Sequence, residues 1–196
     1  PWKIPTEAEL ETIEVTHPQG NGQTFLPYSR NQDLARPWAL PGTEGLAHRI
    51  GGLEKEDGTG NVSYDPENHQ HMVNTRAQKV ANVARYLDPL TFDGPEGGLL
   101  VLSWGGTFGS ARTAVHRCQQ DGIQVAHTHL RWLNPFPSNL GDLLSRFRKV
   151  LIPELNTGQL RMIIDSQFRM DVVGLNKVQG KPFRVSEIVD KIRSLT

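Results

Sequence analysis

The run Leu99-Leu100-Val101-Leu102 decides the fold class of this chain. It is short and continuously apolar, and it is bounded by Gly97-Gly98 and Gly105-Gly106. Strands that are covered on both faces in a parallel sheet have this character, whereas half-exposed strands alternate apolar and polar residues. The run therefore predicts a central strand of a parallel α/β sheet.

Helices and strands are predicted to alternate after this run. Such alternation is typical of crossovers in a mostly parallel sheet with helices on both faces. We therefore expect an α/β domain over residues 95–196. The patterns predict helices over residues 110–120, 140–147 and 159–168 and from about 186, and further strands over residues 125–130, 150–153 and 172–175.

The first 64 residues have a different character. They show no sustained period of 2 or 3.6 residues and are rich in Gly and Pro. Because a structureless loop of this length is uncommon inside a compact domain, residues 1–64 are predicted to form an extended irregular arm that packs on another domain or subunit. Disorder is the alternative, and the arm's large apolar side chains argue against it. The expected anchors are Trp38, Leu40, Leu46, Ile50 and Leu53.

A helix is predicted to follow the arm, within a connecting segment over residues 65–94. Asp65-Pro66-Glu67 combines a capping residue, a proline at the first helical position and an acidic residue near the positive helix end. Asp88-Pro89 is expected to stop the helix. Its apolar residues share one stripe, formed by Met72, Val73, Val80, Val83, Ala84 and Leu87.

The composition excludes several classes of protein. The 21 basic and 21 acidic residues give a formal net charge of zero, so no global field would attract nucleic acid or an anionic membrane. No run approaches the roughly 20 apolar residues needed to cross a bilayer. The single cysteine, Cys118, cannot form an internal disulfide, which suits a reducing compartment. We expect a cytoplasmic protein without nucleic-acid or membrane partners.

The segment Trp104-Gly105-Gly106-Thr107-Phe108-Gly109 separates a predicted strand from a predicted helix, where backbone N–H groups can hold a phosphate or carboxylate. Its glycines fall at i, i+1 and i+4, which departs from the dinucleotide fingerprint and disfavours nicotinamide or flavin. A tight turn is the simpler interpretation, and an anion or a partner segment is the alternative. The candidate contacts are Gly105, Gly106, Thr107 and Gly109.

His127 and His129 alternate along one predicted strand and would face the same side of the sheet. This arrangement could hold a metal ion, but the sequence offers no third ligand, so packing or interface roles are preferred. Cys118 lies on the apolar face of its helix without an activating base and is expected to be inert. No catalytic residue and no metal site are predicted.

Two loops follow predicted strands at the edge where parallel α/β sheets bind ligands. The loop at residues 130–137 carries large aromatic residues and prolines, which suit either a rigid connector or a contact surface. The loop at residues 153–158 would face the same edge. The predicted interface contacts are Arg131, Trp132, Asn134, Pro135, Phe136, Glu154 and Asn156.

Five segments together resemble a known family. Their order and spacing are similar to those in the C-terminal portion of alpha subunits of 2-oxoacid:ferredoxin oxidoreductases of the 2-oxoglutarate type, from about residue 41 to the end. The resemblance implies a transketolase C-terminal-like domain preceded by an arm that wraps another domain. Because the chain does not begin with methionine, we expect a piece of a longer subunit. The segments are residues 42–54, 104–109, 129–137, 153–160 and 174–180, and the pair Asn68-His69 between the first two adds to the resemblance.

The resemblance also implies a reaction for the complete enzyme. That family uses thiamine diphosphate, magnesium and iron–sulfur clusters to convert a 2-oxoacid and coenzyme A into acyl-CoA, carbon dioxide and reduced ferredoxin. The family's thiamine-side domain and its magnesium ligands have no counterpart in this sequence, and one cysteine cannot hold a cluster that needs about four. We therefore expect no cofactor in this chain itself.

Two roles follow as hypotheses. The first is a non-catalytic structural and assembly domain, whose partners are the rest of the alpha subunit, the beta subunit and, through the complex, ferredoxin. The second is an autonomous α/β module that binds coenzyme A or another phosphate-bearing molecule at residues 105–109. An independent nicotinamide enzyme is disfavoured by the glycine spacing.

Overall fold

The computed structural model of the chain describes residues 3–10 and 15–196. Two compact units, Pro1–Asn82 and Val83–Thr196, divide the chain within the predicted connecting segment. The parts of the predicted arm at residues 1–2 and 11–14 lie outside the described residues. None of the described helices has the length and apolar character that crossing a membrane requires.

In the described part of the first unit there is one α-helix, α1, over Pro66–Asn82. The predicted start is confirmed, because the Asp65 carboxylate accepts a hydrogen bond from the Glu67 backbone N–H at 3.0 Å. The helix ends earlier than predicted, and a short 3₁₀ turn, Val83–Tyr86, follows it. The predicted apolar stripe is not covered within the described chain: Met72 is buried, whereas Val73, Val80 and Val83 are exposed.

The arm is held to α1 by polar contacts. Asn68 of α1 donates its side-chain N–H to the Lys55 carbonyl at 2.9 Å and accepts the Asp57 backbone N–H at 3.0 Å. Glu54 pairs with His69 of the same helix. These contacts give the arm a defined course without a core of its own. Among its five expected anchors only Leu46 is buried, and the exposed ones are Trp38, Leu40, Ile50 and Leu53.

The second unit is a four-stranded parallel sheet in the order β2-β1-β3-β4 with four helices. The parallel α/β prediction is thus confirmed. The strands are β1 Leu99–Trp104, β2 Val125–Leu130, β3 Lys149–Glu154 and β4 Val172–Asn176, and the helices are α2 Phe108–Gln120, α3 Leu140–Leu144, α4 Gln159–Phe168 and α5 Val185–Arg193.

Successive residues of β1 pack into two different cores, one on each face of the sheet. Val101 contributes to a core that includes Ile188 of α5 and side chains of α2. Leu102 contributes to a second core, with Ile164 of α4 and side chains of α3. Because both faces of the Leu99–Leu102 run are apolar, both must be covered, and helices cover the sheet on each side.

Two helix boundaries differ from the prediction. Helix α2 begins at Phe108 because the glycine segment forms a 3₁₀ turn, Gly105–Thr107, that runs straight into the helix. Helix α3 stops at Leu144 instead of continuing to Phe147. Phe147 is still buried, since its ring packs edge to face on that of Phe92 with centroids 5.2 Å apart. Apolar periodicity alone therefore overestimated the length of α3.

Candidate functional site

A pocket of about 430 Å³ lies beside β2 in the second unit, near the carboxyl edge of the sheet. This is the edge at which open α/β sheets bind ligands. Its walls come from residues 88–93, the start of α2, the end of β2 and the loop after β2. Its chemically active or aromatic lining residues include Phe108, Arg112, His127, His129, Arg131 and Trp132.

One wall of the pocket is formed by residues 91–93, which pair with the outer edge of β2. The backbones of Asp93 and His127 exchange two hydrogen bonds, each 2.8 Å long. The Thr128 hydroxyl donates to the Thr91 carbonyl at 2.7 Å. The two backbone bonds pair groups of His127 that an edge strand would otherwise leave free, and all three bonds fix the segment beside the two histidines.

A buried hydroxyl joins the two histidines. Ser103 lies opposite His129 in the register of β1 and β2. Its Oγ is 2.8 Å from His127 Nε2 and 2.8 Å from His129 Nδ1. Because a hydroxyl has one proton to donate, at least one imidazole must donate its N–H to Ser103. The shared hydroxyl therefore fixes the orientation of both rings.

Burial keeps both imidazoles uncharged near neutral pH. It lowers the pKa of His127 to about 4, with His129 and Arg112 acting in the same direction and Asp93 opposing them. Burial and the nearby Arg131 guanidinium also lower the pKa of His129. A neutral imidazole offers one donor and one acceptor. Within the described chain, the second nitrogen of each ring forms no further hydrogen bond.

Two arginines complete the pocket without carboxylate partners. The Arg112 guanidinium lies 5.8 Å from the centre of the Phe108 ring, which in turn contacts both imidazoles. In the part of the chain that the structure describes, neither Arg112 nor Arg131 forms an ion pair. Their N–H donors are therefore available to a ligand or a partner.

The predicted glycine contacts form the turn that enters α2. Thr107 is buried, and its hydroxyl accepts the Trp104 N–H at 3.2 Å and donates to the Trp104 carbonyl at 2.8 Å. This side chain serves the turn itself. A Cβ placed at Gly105, Gly106 or Gly109 would meet open space, so no neighbour blocks these three backbones. Their contact with an anion or a partner stays a prediction.

The predicted aromatic contact loop lies largely at the surface. Arg131, Trp132 and Asn134 are exposed, and the Asn134–Pro135 peptide is cis. Phe136 is half-buried beside Phe168 of α4, with ring centroids 6.3 Å apart. The loop thus carries one aromatic side chain that packs on α4, Phe136, and one that is exposed, Trp132. The interface role of this loop stays a prediction.

Glu154 does not belong to that surface. It is completely buried, and its carboxylate accepts the backbone N–H groups of Leu160 and Arg161 at 2.9 Å each. These N–H groups open α4, where the helix leaves donors unsatisfied. The interface prediction for this side chain is therefore wrong, since its oxygens stabilise the helix start. Asn156 shapes the same turn by accepting the Gly158 N–H at 2.7 Å.

The other candidate reactive residues are not arranged for thiol or metal chemistry. Burial raises the pKa of the Cys118 thiol, which disfavours the reactive thiolate. Among the described residues, no group of three or more His, Cys, Asp or Glu side chains is placed to hold a metal ion. The sequence indicates the two histidines, whereas Ser103 and Arg112, which reach them from two other elements, are not predicted from it.

Comparison with known proteins identifies the chain's relatives. Residues 98–188 match the model of the pyruvate:ferredoxin oxidoreductase core domain II. The chain is 44% identical to the 2-oxoglutarate oxidoreductase subunit KorA of Mycobacterium tuberculosis, over 99% of this chain and 30% of that protein. It is 28% identical to the alpha subunit of 2-oxoacid:ferredoxin oxidoreductase 1 of Aeropyrum pernix, over 86% of this chain and 27% of the relative.

A solved structure agrees with these relatives. The 2-oxoglutarate:ferredoxin oxidoreductase of Magnetococcus marinus superposes with a TM-score of 0.86 at 28% identity, over 97% of this chain and 34% of that one. The second unit thus has the fold of an oxidoreductase core domain. The chain is homologous to the alpha subunit of 2-oxoglutarate:ferredoxin oxidoreductases, as a KorA-related domain that spans about 30% of its Mycobacterium tuberculosis relative.

Proposed function

We propose that this chain is the structural and assembly part of the alpha subunit of a 2-oxoglutarate:ferredoxin oxidoreductase. The Magnetococcus marinus relative has 2-oxoglutarate, coenzyme A and succinyl-CoA bound. The complete enzyme would convert 2-oxoglutarate and coenzyme A into succinyl-CoA and carbon dioxide, passing two electrons to ferredoxin. Thiamine diphosphate, magnesium and iron–sulfur chemistry would be supplied by other parts of the complex, which this chain holds in place.

The arm carries this proposal. Four of its large apolar side chains are between 49% and 78% exposed, although polar contacts to α1 hold the arm in a defined course. A concentration of exposed apolar residues marks a contact surface in a soluble protein. A neighbouring domain or subunit would cover these side chains in the assembled enzyme. They are Trp38, Leu40, Ile50 and Leu53.

The loop after β2 supplies a second contact surface. Trp132 is 54% exposed and Leu133 is 38% exposed, and the adjoining Arg131 has no ion-pair partner in the described chain. Tryptophan and arginine are enriched where protein partners bury surface. This loop would contribute a compact anchor beside the more extended contact made by the arm.

Replacing Trp132 with Ala tests the loop. The loss of a large aromatic anchor should weaken association by about 2–4 kcal/mol, because the exposed part of the ring would be buried in the complex. Co-purification with the beta subunit and the remainder of the alpha subunit should fall, while the melting temperature of the 196-residue chain stays near that of wild type. Met162→Ala is the matched control, since Met162 is similarly exposed, at 53%, on α4.

Parallel losses of melting temperature and co-purification in Trp132→Ala would instead assign this ring to internal packing. A second assay addresses catalysis. The purified chain, supplied with 2-oxoglutarate, coenzyme A and an electron acceptor, should form no succinyl-CoA. Turnover by the chain alone would contradict the proposed role.

A further inference from the structure

A second pocket, of about 460 Å³, lies within the first unit, between the arm and α1. Among the described residues, five basic side chains and one acidic side chain line it, although the whole chain has a formal net charge of zero. A pocket lined by one sign of charge concentrates groups of the opposite sign. We call it the basic pocket. Its charged lining residues are Arg30, Arg36, Lys55, Arg76, Lys79 and Glu54.

The first unit balances only part of this positive charge. Arg76 pairs with Glu54 at 3.4 Å, and Arg30 pairs with Asp57. The lining cations that form no ion pair in the described chain are Arg36, Lys55 and Lys79. The basic pocket thus keeps an excess of positive charge.

Lys55 shows that part of this charge is held away from solvent. The residue is only 6% exposed, and among the described groups its ammonium donates to the Gly51 carbonyl alone. An ammonium has three donors, and a buried cation without a negative partner is costly to hold. An anionic group in the pocket would accept the remaining donors and offset that cost.

The apolar part of the lining indicates where such a group comes from. Ile50 and Leu53 line the basic pocket and are 78% and 60% exposed. They also belong to the arm surface that a neighbouring domain or subunit covers in the proposed function. The covering polypeptide therefore reaches the basic pocket, and a carboxylate on it would meet the unpaired cations there.

We propose that the basic pocket receives an acidic side chain, Asp or Glu, from the neighbouring polypeptide that covers the arm. Its carboxylate pairs with the unbalanced cations, and an apolar residue next to it packs on Ile50 and Leu53. Charge-assisted hydrogen bonds give such a contact a fixed register, which apolar packing alone does not. This inference rests on the proposed assembly role and adds the chemistry of the partner segment.

Charge reversal at Lys79 tests the proposal. Lys79→Glu places a like charge against the incoming carboxylate and should weaken binding of the 196-residue chain to the beta subunit and the remainder of the alpha subunit about tenfold or more. Raising the salt concentration from about 0.05 to about 0.5 M should shrink the difference from wild type, since salt screens exposed charges.

Lys181→Glu is the matched control for this change of charge. Lys181 is exposed, lies outside the basic pocket and forms no ion pair in the described chain. The control should bind like wild type, and thermal melting checks that both variants fold. Equal binding by folded Lys79→Glu and wild type, or equal weakening in the two variants, would overturn the proposal.

Zero-length crosslinking of the wild-type complex locates the contact. A carbodiimide joins an amine to a carboxylate only where the two touch, so it should link Lys79 to an Asp or Glu of a partner, which mass spectrometry identifies. A complex in which Lys79 is linked to no partner carboxylate would also overturn the proposal. A wild-type chain that binds no partner would overturn the assembly role and this proposal together, so the two failures are distinguishable.

Discussion

The two compact units differ in where they place their large apolar side chains. In the second unit, β1 is buried between two cores, and helices cover both faces of the sheet. In the first unit, the arm and α1 bury Leu46 and Met72 but expose most of their other large apolar residues. Closed cores stabilise the second unit by itself, whereas the apolar surface of the first is suited to contact with another part of an assembly.

The largest expected effect on stability comes from removing a core side chain of the second unit. Leu102→Ala, at a completely buried position in the second unit, should lower the free energy of unfolding by about 2–5 kcal/mol because it leaves a cavity. Ile50→Ala, at a position 78% exposed in the arm, should change it by less than about 0.5 kcal/mol. Urea denaturation of both variants measures the difference. Similar losses would show that the arm has a core of its own.

The next largest effect is the pH dependence of stability that the buried His127 gives to the second unit. The folded-state pKa of His127, about 4, lies below its ordinary value of 6.5. Between these values the unfolded chain binds more protons, so stability should fall as pH drops from about 6.5 toward 4, by about 3 kcal/mol in total from this residue. Below the folded-state pKa this contribution levels off.

Denaturation curves measured across that pH window test the contribution of His127. His127→Gln should flatten the pH dependence, whereas the same change at the exposed His116 should leave it intact. An imidazole signal of His127 that titrates near pH 6.5 in the folded protein, followed by NMR, would contradict the assigned burial effect.

A smaller effect on stability is expected from removing single carboxylates, one in each unit. Glu154→Ala should destabilise the second unit by about 1–3 kcal/mol, because it leaves two buried N–H groups at the start of α4 without an acceptor. Glu54→Ala removes a carboxylate whose contacts to His69 and Arg76 lie near the surface, and it should cost less. Chemical denaturation measures the loss of stability in each variant. A larger loss in Glu54→Ala than in Glu154→Ala would contradict the distinction between the units.

The fold of the second unit could be predicted because its local signals agree. The apolar run from Leu99 has no polar face, and Gly122 ends α2 with a positive φ of 80°, as the Asp121-Gly122 pair indicates. Strands and helices therefore appear where the patterns place them. Failures occur at ends, as in α3, where turn hydrogen bonds replace the helix before the apolar pattern stops.

The pocket could be predicted only in part because it depends on pairing between distant segments. The sequence places His127 and His129 on one face, but Ser103 meets them only through the register of β1 and β2. The wall at Asp93 likewise depends on pairing with an edge strand. The sequence predicts an interface contact for Glu154 because its loop lies at the ligand edge, and only the position of α4 shows that its carboxylate points to the helix start.

Changing the exposed arm residues tests the assembly role most directly. A chain with Trp38→Ser, Leu40→Ser, Ile50→Ser and Leu53→Ser should keep the melting temperature and circular dichroism spectrum of wild type, since these side chains are exposed. It should nevertheless fail to co-purify with the beta subunit and the remainder of the alpha subunit. Co-purification at the wild-type level would contradict the proposal that this apolar surface holds the enzyme together.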